Sequence, residues 1–320
     1  MKLCVVFLLA VCAFAADIPA DVPQADISNG MIKAKILLPD AARGYYRGTR
    51  FDWSGAIASL EYKDHNYFGK WFDKYDPKIH DAIMGPVEEF RTNDSALGWD
   101  EANPGETFIK IGVGVLRKPN EQPYRFATTY EIVNGGKWSY KTYPDRVEFT
   151  HELTDASGYA YVYRKTLRLV KGSPQLIIEH RLKNTGKKEF ETAVYNHNFF
   201  VIDNQPSGPD FSVHFPFDLT AVADISKAAE IKGKELTYTK ELPVGQSVYT
   251  ELKGYGDTAK DYDIRVENSK EKAGAHIVGD LPLSKMVFWS IRTTLCPEAY
   301  VSMKVEPGKE SAWKITYDFF

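Results

Sequence analysis

Val301-Ser-Met303-Lys-Val305-Glu306-Pro307-Gly308-Lys309-Glu310-Ser-Ala-Trp313-Lys-Ile315-Thr-Tyr317-Asp-Phe319 closes the chain. Val301, Met303 and Val305 alternate with Ser302, Lys304 and Glu306, and Trp313, Ile315, Tyr317 and Phe319 alternate in the same way. A period of two sends successive side chains to opposite faces of an extended chain. Pro307-Gly308 supplies the turn between the two runs, so the segment predicts a β-hairpin. The same pattern recurs upstream: Val147, Phe149, His151 and Leu153 form one apolar face, and Leu176, Ile178, His180 and Leu182 form another. Asn134-Gly135-Gly136, Ala156-Ser157-Gly158, Lys171-Gly172-Ser173-Pro174 and Asn184-Thr185-Gly186 separate such runs. Aromatic residues make up 13% of the chain, with 19 tyrosines, a usage that favours strands. Helical periodicity is weak; residues 220–232 are expected to form a short helix or an irregular crossing. Many strands joined by short turns predict an all-β antiparallel sandwich or barrel. Strand patterns run from Met31 to Phe319 without a Pro/Ser-rich linker, so residues 30–320 are expected to form one domain, preceded by a loosely tied N-terminal arm over 16–29.

Residues 1–15 have the pattern of a signal peptide. Lys2 gives the positive start, Leu3 to Val11 the short apolar stretch, and Ala13-Phe14-Ala15 the small-x-small cleavage signature. Export to the periplasm or the medium is therefore expected. Cys4 and Cys12 would leave with this segment; Cys296 alone would remain, which excludes an intrachain disulfide framework. The formal net charge is -3 and the charges are interspersed, so nucleic acid is not an expected partner. No later apolar run is long enough for a membrane-inserted helix. Cofactor and metal chemistry find no support: there is no Gly-rich phosphate loop, no nucleophile elbow and no His/Cys zinc spacing. Glu88, Glu89, Asp100 and Glu101 could gather around calcium, although such a group is more often a solvated loop.

Tyr195-Asn196-His197-Asn198-Phe199-Phe200 places an imidazole among aromatic rings at the end of a β-like run, and Leu295-Cys-Pro-Glu298-Ala-Tyr300 leads into the closing hairpin. Together with the terminal Pro307-Gly308 strand pair, these stretches resemble the aldose 1-epimerase (galactose mutarotase) superfamily. Arg50-Phe51-Asp52-Trp53-Ser54-Gly55-Ala56-Ile57-Ala58-Ser59-Leu60 looks like that family's early strand. Residues 163–176 followed by Asn184-Thr185-Gly186 resemble its central hairpin, and Gly85-Pro86 resembles a turn of its hexose-phosphate branch. The similarity covers residues 30 to 320 in order. It implies a mutarotase-like antiparallel β-supersandwich with a carbohydrate, a mono- or oligosaccharide, bound on one concave face.

The resemblance implies that His197 is the general acid toward a sugar ring oxygen and Glu298 the general base toward the anomeric hydroxyl. Alternation sets Tyr195, His197 and Phe199 on one face, where rings can meet the apolar C–H faces of a sugar. Arg47, Arg50, Asp52 and Trp53 form a polar-aromatic cluster suited to a uronate carboxylate and a pyranose face, although bracing of a strand entry is at least an equal reading. Arg91, Trp99, Asn196 and His214 are the further candidate substrate-binding residues, with His80, Glu88 and Glu89 beside them. His151 and His180 fall on apolar faces and read as structural. The family's His-Gly-Phe-Ala-Arg stretch has no counterpart; Leu97-Gly98-Trp99-Asp100 stands near its place. Three activities therefore stay open: interconversion of sugar anomers, carbohydrate binding without turnover, and polysaccharide cleavage on the same architecture.

Overall fold

The alternation read in the chain is an alternation in space. The computed structural model describes residues 18–320, and the signal-peptide pattern lies outside the described residues. Arg146–Thr154, Ala160–Leu169, Gln175–Asn184 and Glu310–Phe319 run antiparallel side by side in a ten-stranded sheet. In Arg146–Thr154 every second residue is buried, and Gln175–Asn184 keeps the same rhythm. A six-stranded sheet is ordered Thr220–Ala221, Ser247–Lys253, Lys285–Ile291, Thr294–Val305, Phe190–His197 and Val87–Arg91. All pairings are antiparallel.

These two sheets bury one face of each against the other. Leu176, Ile178, Leu182, Ile315 and Tyr317 of the large sheet share a core with Phe90, Val194, Phe288, Leu295 and Val301 of the small one. Each such side chain contributes roughly 1.5–3 kcal/mol relative to exposure. The opposite face of the six-stranded sheet is only partly covered. A second apolar cluster, including Tyr46, Phe51, Trp53, Trp71, Met84 and Trp99, packs loops over one side of it and leaves the rest open.

Two expectations change. Residues 24–28 are not a loose arm, because Gln24–Ser28 pairs along its length with Ile32–Leu37 at the edge of a four-stranded sheet. Ile27 anchors it with 2% exposure. Residues 220–232 contain no helix; Thr220–Ala221 and Ala229–Lys232 join different sheets as short strands. The helical element among the described residues is a single 3-10 turn, Ala259–Asp261, and none is long and apolar enough to cross a membrane.

Candidate active site

Register brings the two halves of the site together. Phe190–His197 pairs with Thr294–Val305 so that Tyr195 lies opposite Tyr300. Continuing that register by two residues sets His197 opposite Glu298, on the face turned away from the core. Their side chains meet: His197 Nε2 lies 3.2 Å from Glu298 Oε1. Both line an open cleft of about 510 Å³ together with Tyr195, Phe199, Tyr249, Trp289 and Tyr300 from the sheet. Arg50, Trp71, His80, Asp81 and Phe126 come from the covering loops, and Arg91 from the edge strand.

The His197 ring is held by rings. Phe199 stacks on it at 3.8 Å, Trp71 stacks on Phe199 at 4.6 Å, and Trp289 and Phe51 meet the imidazole edge-on at 5.3 and 5.6 Å. Phe199 reaches this position because its backbone turns left-handed, with φ +41°, where the strand ends. A non-glycine residue in this region is uncommon and costs on the order of 1–3 kcal/mol. Its N–H points to Cys296 Sγ at 3.2 Å. The Gly85-Pro86 turn that leads into the neighbouring strand Val87–Arg91 fits closely: a Cβ on Gly85 would lie 2.3 Å from Asn198 O and 2.9 Å from His197 O. Only glycine permits that approach. Asn198 is fixed in turn by donating to Pro297 O at 2.6 Å and accepting from the Tyr317 hydroxyl at 2.8 Å.

Surroundings decide the proton. Burial pushes the His197 imidazole well below its usual value, and the nearby Arg50 charge adds to this. Nδ1 of His197 is buried with no hydrogen-bond partner, so nothing on that side of the ring stabilises an imidazolium. Burial pushes the Glu298 carboxyl the other way, up to about 8, against the opposing charge of Arg50. Both shifts favour the uncharged forms, a protonated Glu298 and a neutral His197 imidazole. These directions run opposite to the expected assignment of His197 as the acid and Glu298 as the base.

A carboxylate beneath the cleft floor carries the fixed charges. Glu89 accepts from Arg50 Nε at 2.8 Å, from Lys110 Nζ at 3.1 Å and from the Tyr195 hydroxyl at 2.5 Å. Burial opposes its ionisation, but Lys110, Arg50 and Arg91 overcome that and hold Glu89 far below the ordinary carboxylate range. Arg50 also donates to the Tyr195 oxygen at 3.1 Å, and its guanidinium lies 4.4 and 4.3 Å from the Phe51 and Phe126 ring centroids. Arg91 donates to Asp94 O at 2.5 Å. Arg50, Lys110 and Arg91 thus gather around one ionised carboxylate, while Asp94 lies 3.8 Å from Arg91 and Asp81 also lines the cleft.

Several expected residues lie elsewhere, each for a physical reason. Asn196 alternates away from Tyr195 and His197 and donates to Glu88 at 3.1 Å in the interior. Trp53 is 5% exposed, donates to Gly48 O at 2.8 Å and packs in the loop core. Trp99 is buried among Phe108, Tyr124 and Tyr130. His214 lies on the ten-stranded sheet, half-exposed, 3.4 Å from Glu235. Glu88 does not line the cleft either: it is buried between the sheets, bonded to Lys165 and, at 2.8 Å, to His180. Glu88 and Glu89 thus face opposite sides of one strand and share no calcium, while Glu101 binds Tyr159 and Lys188 at the surface. Trp71, Phe126, Tyr249, Trp289 and Tyr300 went unforeseen. Trp289 and Tyr300 had a signal, since alternation through 285–291 and 298–304 puts them on the Glu298 face.

No protein-family model matches the chain, and no curated protein matches it in sequence. Solved structures do. An aldose epimerase homologue from C. elegans aligns over 93% of this chain and 99% of its own, at TM-score 0.56 and 13% identity. A galactose mutarotase-like protein from Clostridium acetobutylicum covers 94% and 99%, at TM-score 0.55 and 12% identity. Another from Lactobacillus casei covers 93% and 100%, at TM-score 0.54 and 12% identity. The chain has the galactose mutarotase-like β-sandwich fold.

Proposed function

We propose that this protein is an exported aldose 1-epimerase-like enzyme that interconverts sugar anomers through His197 and Glu298. The observation that carries the reading is the 3.2 Å contact between these groups on the floor of an aromatic cleft. Ring oxygen and anomeric oxygen are bonded to the same carbon, so an acid and a base at this spacing address both. Glu298 donates its proton to the ring oxygen as neutral His197 takes the proton of the anomeric hydroxyl. The C1–O5 bond breaks, the C1 carbonyl forms, and the pair becomes imidazolium and carboxylate. Rotation about C1–C2 presents the other carbonyl face. The hydroxyl at C5 then attacks, its proton passes to Glu298, and His197 returns its proton to the new anomeric oxygen.

Each proton transfer supplies roughly 10²–10⁴-fold. Tyr249 and Trp289 supply C–H-stacking faces, Tyr249 also a hydroxyl, and Arg50 and Arg91 offer partners to a uronate carboxylate. The sequence pattern of residues 1–15 supports export. Polarimetry on a panel of aldoses and uronates tests the reading. At least one sugar is expected to equilibrate faster with protein, with His197→Ala and Glu298→Gln each removing most of the acceleration. Binding without acceleration across the panel would instead assign a carbohydrate-binding protein, and chain cleavage a lyase or hydrolase.

A further inference from the structure

The cleft does not end at the residues that surround His197 and Glu298. Ser247 and Tyr249 form a shared wall between it and a second cavity of about 510 Å³, whose lining also includes Asp224, Lys227, Lys240 and Gln246. Both volumes fall within the range of small-molecule sites, about 300–1,000 Å³. Tyr249 stands on that wall with 58% of its surface exposed, whereas Tyr195 and Tyr300 on the same sheet face are 2% and 7% exposed. Strand register sets Tyr249 opposite Trp289, and Trp289 touches the His197 ring edge-on at 5.3 Å. An aromatic path therefore leads from the acid/base pair to an exposed ring, and beyond it lie side chains that donate and accept hydrogen bonds.

We infer that the substrate is an oligosaccharide, whose reducing-end residue sits at His197 and Glu298 while the next residue lies over Tyr249 in the adjoining cavity. This rests on the carbohydrate reading of the cleft. Exposed tyrosine gives a sugar ring an apolar face and a hydroxyl at once, and Asp224, Lys240 and Gln246 give its hydroxyls partners. The opposite flank is built differently. A cavity of about 410 Å³ shares Arg91 with the cleft but has no aromatic lining, and its Lys304 is already paired with Glu189 at 2.8 Å. One furnished flank suits the chemistry, because an oligosaccharide has a single free anomeric centre and extends from it in one direction.

The test compares monomer, dimer and trimer of glucose, galactose and galacturonate by calorimetric binding and by NMR exchange between anomers, in parent, Tyr249→Ala and Tyr249→Phe proteins. In at least one series the dimer is expected to gain about three- to tenfold over the monomer; Tyr249→Ala should erase that gain and Tyr249→Phe retain most of it. Equal affinity and equal exchange rates for monomer and dimer would overturn the inference and leave the anomer reading intact. If no exchange is accelerated, the anomer reading fails and the binding arm decides alone. A dimer preference lost in Tyr249→Ala then supports the second subsite. The absence of that preference, or of any binding, overturns it.

Discussion

Two buried His–Glu pairs lie within this fold, and they differ in what surrounds them. Between the sheets, His180 meets Glu88 at 2.8 Å, and Glu88 also takes Lys165 and, at 3.1 Å, Asn196. At the cleft floor, His197 meets Glu298 at 3.2 Å, and among the described residues no lysine or arginine pairs with that carboxylate. Burial opposes ionisation of both carboxyls. In the core, Lys165 and His180 overcome burial and bring Glu88 down to about 2; in the cleft, burial wins and Glu298 rises to about 8. The same residue types therefore make a fixed ionic brace in one place and, in the function proposed above, a proton-exchanging pair in the other. Environment assigns the role, as it does wherever neighbouring titratable groups are pushed apart.

The comparison breaks most visibly through stability. Glu88→Ala takes from Lys165 its nearest carboxylate and from His180 its partner, all at 0% side-chain exposure, leaving Lys165 with Asp52 at 3.5 Å, and is expected to cost about 3–5 kcal/mol in denaturant unfolding. Glu298→Gln replaces a group that is already neutral, and unfolding should stay within about 1 kcal/mol of the parent. Comparable losses at both sites would erase the distinction.

Activity should sort the pairs in the opposite way. Glu298→Gln and His197→Ala are each expected to lower anomer interconversion on the order of 10²-fold or more, with sugar binding largely kept. The double variant should be little worse than the worse single, because the two groups act as a unit. Steady-state polarimetry on the most responsive sugar reads all three.

A smaller effect probes how the cleft pair is held. Gly85→Ala drives a methyl into the Asn198 and His197 carbonyls and should cost about 1–3 kcal/mol. It should also lower kcat, since the His197 ring moves with its backbone; an unchanged kcat would show that the turn does not position the ring.

The pH dependence gives the finest separation. The Glu298 value is raised on folding, so its contribution to stability declines as pH climbs from the ordinary carboxylate range through about 8. The Glu88 value is depressed, so its contribution holds above the ordinary range and is lost as pH falls toward 2. Glu298→Gln should therefore flatten the alkaline decline in melting temperature and leave the acid decline untouched. Activity should fall above about pH 8 as Glu298 loses its proton.

Much of this was legible in the chain. Alternation through 147–153, 176–182 and 301–319 foretold strands that bury one face, and the Pro307-Gly308 turn marked the closing hairpin. The facing of His197 and Glu298 follows once Tyr195 is set opposite Tyr300. Asn196 was misplaced because family likeness was allowed to override period two, which sends it to the core beside Glu88. Trp53 and Trp99 were misread because an aromatic beside charges in a loop carries no period; whether it lines a cleft or anchors the loop depends on packing from distant segments. Trp71 and Phe126 were invisible for the same reason. The protonation tendencies were beyond sequence altogether, since they depend on the rings that bury His197 and on burial outweighing the Arg50 charge at Glu298.

Carbon-13 labelling of glutamate carboxyls, followed by NMR titration of parent and Glu298→Gln proteins, tests the central claim most directly. One carboxyl resonance is expected to titrate near pH 8 and to vanish in the variant, while a second, assigned through Glu88→Gln, stays ionised down to about pH 2. A Glu298 carboxyl that titrates in the ordinary carboxylate range alongside the surface glutamates would contradict the account.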